Sequence, residues 1–401
     1  MKVLFINAES GYGGGPAIIV DGIYHAVCER GGEGLVAYGR QADPNSDVKK
    51  YYIKNGAALY AHVALSRLFD LHGFGSKAAT KKLLQVVDEF QPDLVNLHNI
   101  HGYYVHCGEL FRYFAEKHIP VVWTFHDCWP FTGHCAYFDR VNCDKWKSGC
   151  YHCPQTGTYP ASVLDNSAGN YARKKKLFTL PEKMTIVTPS DWLKNLVGES
   201  FLSKYPCKTI HNGIDLSLYR PIPSDWKKEH IPQGNKMLLG CAAIWAPRKG
   251  LDDLLKIAEA LGEGYTLVLV GLNEQQIAAL PQGVIGIRRT ESREELIKLY
   301  AAADVFVNAS IEDNFPTVIL EALACGTPVV TYDTGGSRES LNEKCGAYVE
   351  QKNIPAFCEA VKTVLTFENA SEECLKRISE FEEKKKYGQY ADLFAEMIGG
   401  K

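Results

Sequence analysis

The chain has 401 residues, of which 46% are hydrophobic and 23% charged, and its formal net charge is −3. This is the composition of an ordinary soluble globular protein, and it excludes the strongly basic surface expected of a nucleic-acid binder. The length exceeds what one core normally supports and predicts two domains of roughly 200 residues each; no apolar run reaches the roughly 18 residues of a membrane span.

The first predicted element is a strand over residues 2–7, from Met1-Lys2-Val3-Leu4-Phe5-Ile6-Asn7. Its apolar run is short and soon followed by Glu9 and glycines, so it reads as a strand and not as an export signal. A cytoplasmic, reducing setting is therefore expected, and the 13 cysteines are not read as a disulfide framework. The cluster Ser10-Gly11-Tyr12-Gly13-Gly14-Gly15-Pro16 follows. Glycines at a strand-to-helix turn admit a close ligand, and their N–H groups can face phosphate, although neither the dinucleotide spacing nor the Lys-Ser/Thr of a P-loop is present. Helices are predicted over 16–30 and 76–90, and further strands over 35–38, 94–97, 121–125 and 185–188.

Two histidines stand at predicted strand ends, His98 after 94–97 and His126 after 121–125, where α/β domains bind ligands. A long segment then carries Cys135, Cys143, Cys150 and Cys153, beside His134 and His152. Four thiols within 19 residues, ending in Cys-x2-Cys, are a candidate structural zinc site, with disulfides or unligated thiols as the alternatives. The run Arg173-Lys174-Lys175-Lys176 reads either as the solvated face of a helix or as a peripheral contact with an anionic membrane or lipid diphosphate. A proline-bearing stretch over 206–225 is the expected interdomain linker, between an N-terminal domain over 1–205 and a C-terminal domain over 226–374.

The second half repeats the alternation, with strands predicted over 237–242, 266–270, 284–287, 305–308 and 329–332. After the first of these comes Ile244-Trp245-Ala246-Pro247-Arg248-Lys249-Gly250. Two cations at a helix start oppose its dipole, so Arg248 and Lys249 point to a bound anion such as a diphosphate. After 305–308 comes Ala309 to Val330, ASIEDNFPTVILEALACGTPVV, a loop, a helix over 317–324 and a strand. Asp313 lies in that loop, while Glu321 lies inside an apolar helix, where a carboxylate is costly unless something binds it. A charged helical segment over 375–401 ends the chain.

The stretch from Asp313 to Glu321, with Phe315-Pro316 and the Gly-Thr-Pro-Val-Val exit, resembles the nucleotide-sugar signature of the retaining glycosyltransferases of family four. Asp313 stands where that signature has its first Glu. Lys249 matches the family's Lys-Gly, Arg248 takes the place of its Arg, and His211-Asn212-Gly213-Ile214-Asp215 matches its interdomain turn. The resemblance implies a GT-B fold, two doubly wound Rossmann-like α/β domains, with the last helix packed back on the first. It also implies a nucleotide-diphosphate sugar donor, a glycan or lipid-linked acceptor, retention of configuration, and no catalytic metal.

By the same resemblance Glu321 holds the ribose, and Asp313 with the backbone of Asn314, Phe315, Pro316 and Thr317 holds the sugar hydroxyls. His126 faces the sugar, the loop of Gly13, Gly14 and Gly15 faces the diphosphate, and Arg248 with Lys249 stabilises the leaving group. The setting implied is polysaccharide or glycolipid assembly, at the inner face of the membrane. The rivals are a sugar-nucleotide epimerase or hydrolase of the same fold, a nicotinamide-dependent oxidoreductase, which should carry the dinucleotide fingerprint this chain lacks, and a zinc-stabilised binding module.

Overall fold

A computed structural model describes residues 1–11 and 15–399. They form two compact units, Met1–His211 joined by the chain from Lys386 onward, and Asn212–Lys385.

The first unit holds strands β1 (Lys2–Asn7), β2 (Glu33–Tyr38), β3 (Lys50–Tyr52), β4 (Leu94–Leu97), β5 (Val121–Thr124), β6 (Met184–Thr188) and β7 (Cys207–Thr209). They make one parallel sheet in the order β3-β2-β1-β4-β5-β6-β7. The second unit holds β8 (Lys236–Cys241), β9 (Tyr265–Val270), β10 (Ile285–Ile287), β11 (Val305–Asn308), β12 (Val329–Tyr332) and β13 (Gly346–Val349). Their order, β10-β9-β8-β11-β12-β13, is again parallel throughout. Each is a doubly wound α/β sheet.

Helices cover both faces of each sheet, which is why its central strands read as unbroken apolar runs. Alternate residues of β1 serve different cores: Leu4 and Ile6 join one cluster, Val3 and Phe5 the other. The second cluster also takes Tyr387, Tyr390, Ala391 and Phe394 of the last helix, so the chain's end completes the first unit's core. In β8, Met237 and Leu239 face one core and Leu238 the other.

Three strands were not expected from sequence: β3, β7 and β13 lie at sheet edges, where most positions are only partly covered, so no apolar run marks them. The expected linker over 206–225 is divided, since β7 belongs to the first sheet and the units part between His211 and Asn212. The single helix expected over the last segment is two, Ala370–Ile378 and Glu383–Gly399. Between them the backbone turns to exchange hydrogen bonds with Ile214, whose N–H donates to Phe381 O at 2.9 Å and whose carbonyl accepts from Glu383 N at 3.0 Å. Among the described residues no helix is long and apolar enough to cross a membrane.

Candidate functional site

The order of the second sheet reverses between β8 and β11, which pair directly although more than sixty residues separate them. Loops leaving such a switch point at the carboxyl ends of the strands form the usual ligand crevice of an open α/β sheet. The loop after β8 ends in the turn Pro247–Lys249 and the helix Leu251–Leu261; the loop after β11 ends at Pro316, which caps the helix Thr317–Ala324.

The two loops are joined backbone to backbone. Gly250 has φ +71°, and a Cβ there would stand 1.9 Å from Ala309 O, so only glycine allows this approach. Ile311 N donates to Arg248 O at 2.7 Å, and the Arg248 guanidinium donates to Glu312 O at 2.9 Å. Lys249 Nζ meets Asp313 Oδ2 at 2.5 Å, with both side chains mostly covered. From the loops after β12 and β13, Thr334 Oγ1 donates to Ser310 O at 2.7 Å and Gln351 Nε2 to Ile311 O at 3.1 Å. The loop carrying Asp313 is therefore braced on two sides.

Burial works to raise the Asp313 carboxyl, but the charges of Lys249 and Arg248 and the Asn314 N–H more than offset it and hold it below the ordinary value. Both carboxylate oxygens are engaged, Oδ2 by Lys249 and Oδ1 by Asn314 N at 3.0 Å. Glu321 faces the opposite situation: burial raises its carboxyl, against a smaller lowering by Tyr300 and Arg293. Its Oε2 accepts from Tyr300 OH at 2.8 Å. Among the described residues no cation is bonded to Glu321, and with one oxygen held by Tyr300 the carboxylate is suited to accept from ligand hydroxyls.

In the first unit, Gly13 and Gly14 lie outside the described residues, and Gly15 opens the helix Gly15–Glu29 after β1. His98 and His126 follow the adjacent strands β4 and β5, and His98 Nδ1 lies 2.9 Å from His126 Nε2. Burial pushes the His126 imidazole down to about 4, with His101 adding to the effect and Asp127 opposing it. Sequence reasoning overlooked Asn96, whose side chain bonds His98 at 2.8 Å; a polar residue inside the apolar strand Leu94–Leu97 was the signal. It also overlooked His101, which meets Asp127 at 3.0 Å.

The expected zinc set does not assemble. Cys135, Cys143, Cys150 and Cys153 line one cavity of about 20 Å³ with His134, yet no three of these donors lie within 4.8 Å of one another. A tetrahedral zinc–thiolate site needs sulfurs about 4 Å apart. Instead Cys135 hydrogen-bonds Cys153, which pulls that thiol down to about 6, and Cys150 Sγ accepts from Gly133 N at 3.1 Å. The loop closes on its own aromatic core, Phe131 against Trp146 and Trp146 stacked on Phe138 with centroids 5.0 Å apart. Nor is Arg173 to Lys176 one solvated face. Lys174 is buried, donating to Trp129 O at 2.8 Å and Thr132 O at 3.0 Å, and burial lowers its ammonium to about 7.

Residues 13–218 match the family model described as Glycosyltransferase Family 4, and residues 235–366 match Glycosyl transferases group 1. The putative colanic acid biosynthesis glycosyl transferase WcaC of Escherichia coli K12 is 27% identical over 373 residues, 88% of each chain. A D-inositol 3-phosphate glycosyltransferase of Mycolicibacterium smegmatis is 29% identical over 177 residues, 40% of each chain. Among solved structures, the sucrose-phosphate synthase of Thermosynechococcus elongatus superposes with a TM-score of 0.71 at 16% identity, over the whole of both chains. Anabaena HepE in complex with UDP superposes with a TM-score of 0.68 at 19% identity, over 99% of this chain and 100% of that one.

Proposed function

Because the chain belongs to glycosyltransferase family 4 and so transfers a sugar from a nucleotide-sugar, we propose that its second unit binds the donor at the β8–β11 switch point. The observation that carries this reading is the 2.5 Å contact between Lys249 and Asp313, which holds a cation beside the N-terminus of the helix Thr317–Ala324. A fixed ammonium and the N–H groups of a helix start together form a site for a diphosphate.

In this reading Lys249 meets charge that grows on the diphosphate as the glycosidic bond breaks, and so favours the transition state over the ground state. Asp313 acts chiefly by holding Lys249, since both of its oxygens are occupied, and Arg248 by tying the two loops together. Asn314, Phe315, Pro316 and Thr317 present backbone to the sugar and phosphate, Glu321 takes the ribose hydroxyls, and His126 of the first unit takes a sugar hydroxyl. Neither carboxylate serves as a nucleophile, and retention follows from delivery of the acceptor on the face the diphosphate leaves.

We take the donor to be a UDP-sugar, by the fold shared with HepE, whose complexes hold UDP and UDP-glucose. The acceptor is a glycan or lipid-linked glycan, by likeness to the WcaC protein. An exposed apolar patch supports peripheral membrane contact: Leu68 and Phe69 at the end of the helix Ala57–Phe69 lie by Val163 and Leu164. The segments join through Val163 N donating to Arg67 O at 2.7 Å. The test is a thermal-shift series with UDP-, GDP-, ADP- and dTDP-sugars. A donor at 100 times its Kd adds about 2.7 kcal/mol to the folded state; no rise in Tm with any of the four would overturn the donor site. Anomer-resolved NMR of the transfer product then reads retention, and flotation with anionic vesicles reads the membrane contact.

A further inference from the structure

Three side chains at the ends of β4 and β5 form one hydrogen-bonded line, and its polarity can be assigned from one end. Asn96 is buried, and its amide has a carbonyl on one side, Val122 O at 3.0 Å from Nδ2. A backbone carbonyl only accepts, so the NH2 group faces Val122 and Asn96 Oδ1 faces His98. At 2.8 Å from that oxygen, His98 Nε2 must carry the proton. Buried, and with no carboxylate beside it among the described residues, His98 is held neutral, its imidazole well below the ordinary value through burial and the neighbouring His126. Its Nδ1 is then a lone pair and accepts from His126 Nε2–H at 2.9 Å. Ring geometry agrees: the two imidazoles are 20° from coplanar with centroids 5.2 Å apart, as an in-plane N–H···N bond requires.

We infer that Asn96 and His98 are positioning residues that fix His126 as the Nε2–H tautomer, leaving its Nδ1 as an acceptor for a substrate hydroxyl. This rests on the reading of His126 as a sugar-facing residue. Among the described residues, the charged and titratable groups around His126 include His98, Asp127, His101 and Tyr137, whose hydroxyl donates to His126 O at 3.5 Å. The net effect on the ring is to keep it neutral, so His126 accepts from a sugar O–H and does not present a cation to phosphate. A relay of this kind sets which atom of the histidine reads the substrate, as ligand orientation by an outer hydrogen bond does elsewhere.

The test uses the full-length protein with 15N-labelled histidine. Long-range 1H–15N spectra at about pH 7.5 should show His98 and His126 both protonated at Nε2 only. Protonation of His126 at Nδ1, or exchange between tautomers, overturns the inference and leaves the Lys249 donor site untouched. Kinetics supply the second readout. In Asn96→Asp a carboxylate raises the His98 pKa, so that at low pH His98 carries two protons and its Nδ1–H donates to His126 Nε2. His126 then loses its Nδ1 acceptor. We expect kcat to fall roughly tenfold at about pH 6 and to recover near pH 8 to 9, an acid limb absent from the parent. Donor KM should rise at the same low pH and recover together with kcat. In His98→Asn the amide oxygen can take the place of the Nδ1 lone pair, and it should retain more activity than His98→Leu. An equal loss at every pH in Asn96→Asp would mean a purely structural role and overturn the inference.

Discussion

Replacing Lys249 by methionine separates two jobs that the structure gives one side chain. In the resting protein Lys249 is the cation facing Asp313 at 2.5 Å, and the two side chains are only 20% and 13% exposed. Removing one partner of such a pair leaves a largely buried charge, which typically costs 3 to 5 kcal/mol; both groups keep some solvent, so we expect about 3 kcal/mol. Donor binding loses, separately, a charge-assisted bond to the diphosphate worth roughly 1.5 to 3 kcal/mol, or about 10- to 150-fold in Kd. The companion change Asp313→Asn removes the stranded carboxylate. The double variant Lys249→Met with Asp313→Asn should therefore regain most of the stability but none of the donor affinity. Urea unfolding and calorimetric titration with the donor read the two quantities. Recovery of both in the double variant would refute the reasoning, since Lys249 would then act only by neutralising Asp313.

Gly250 sits in the left-handed region at φ +71° and ψ +31°, and a Cβ added there would also meet the Ala309 carbonyl. Gly250→Ala should therefore cost about 1 kcal/mol for the backbone and at least about 2 kcal/mol more for the clash, measured by denaturant midpoints, with loss of donor affinity. Because burial raises the Glu321 carboxyl, its ionisation lowers the stability of the empty protein progressively as pH rises through the folded pKa. Glu321→Gln should match or exceed the parent Tm at about pH 8 while the donor no longer raises it. Lys174, lowered to about 7 from 10.5, binds more proton unfolded than folded between those values. Stability should thus climb with pH across that window, and Lys174→Met should abolish the slope despite losing two hydrogen bonds.

Both doubly wound sheets were legible because strands covered on both faces must be apolar throughout, as Val3 to Ile6 and Val305 to Val307 are. Three of the four edge strands were not, since strands such as Lys50–Tyr52 and Cys207–Thr209 have neighbours on one side only and carry no such run. The zinc reading failed for a related reason. Spacing in Cys-x2-Cys records distance along the chain, whereas the packing of Phe131, Phe138 and Trp146 decides where the loop lies, and there no three of the thiols gather within 4.8 Å.

Family, fold class and the list of chemically unusual residues follow from the sequence alone. A carboxylate in an apolar helix, cations at a helix start and histidines at strand ends are each costly locally, and local cost is what sequence records. What only the tertiary structure decided is who answers that cost. β8 and β11 are neighbours because the sheet reverses there, so Lys249 neutralises Asp313 and the carboxylate becomes an anchor for the cation. β4 and β5 are neighbours as well, so Asn96, deep in a strand, sets the tautomer of His126 through His98. Lys249 and Asp313 are 64 residues apart and His98 and His126 are 28 apart, and strand pairing brings each pair within hydrogen-bonding distance.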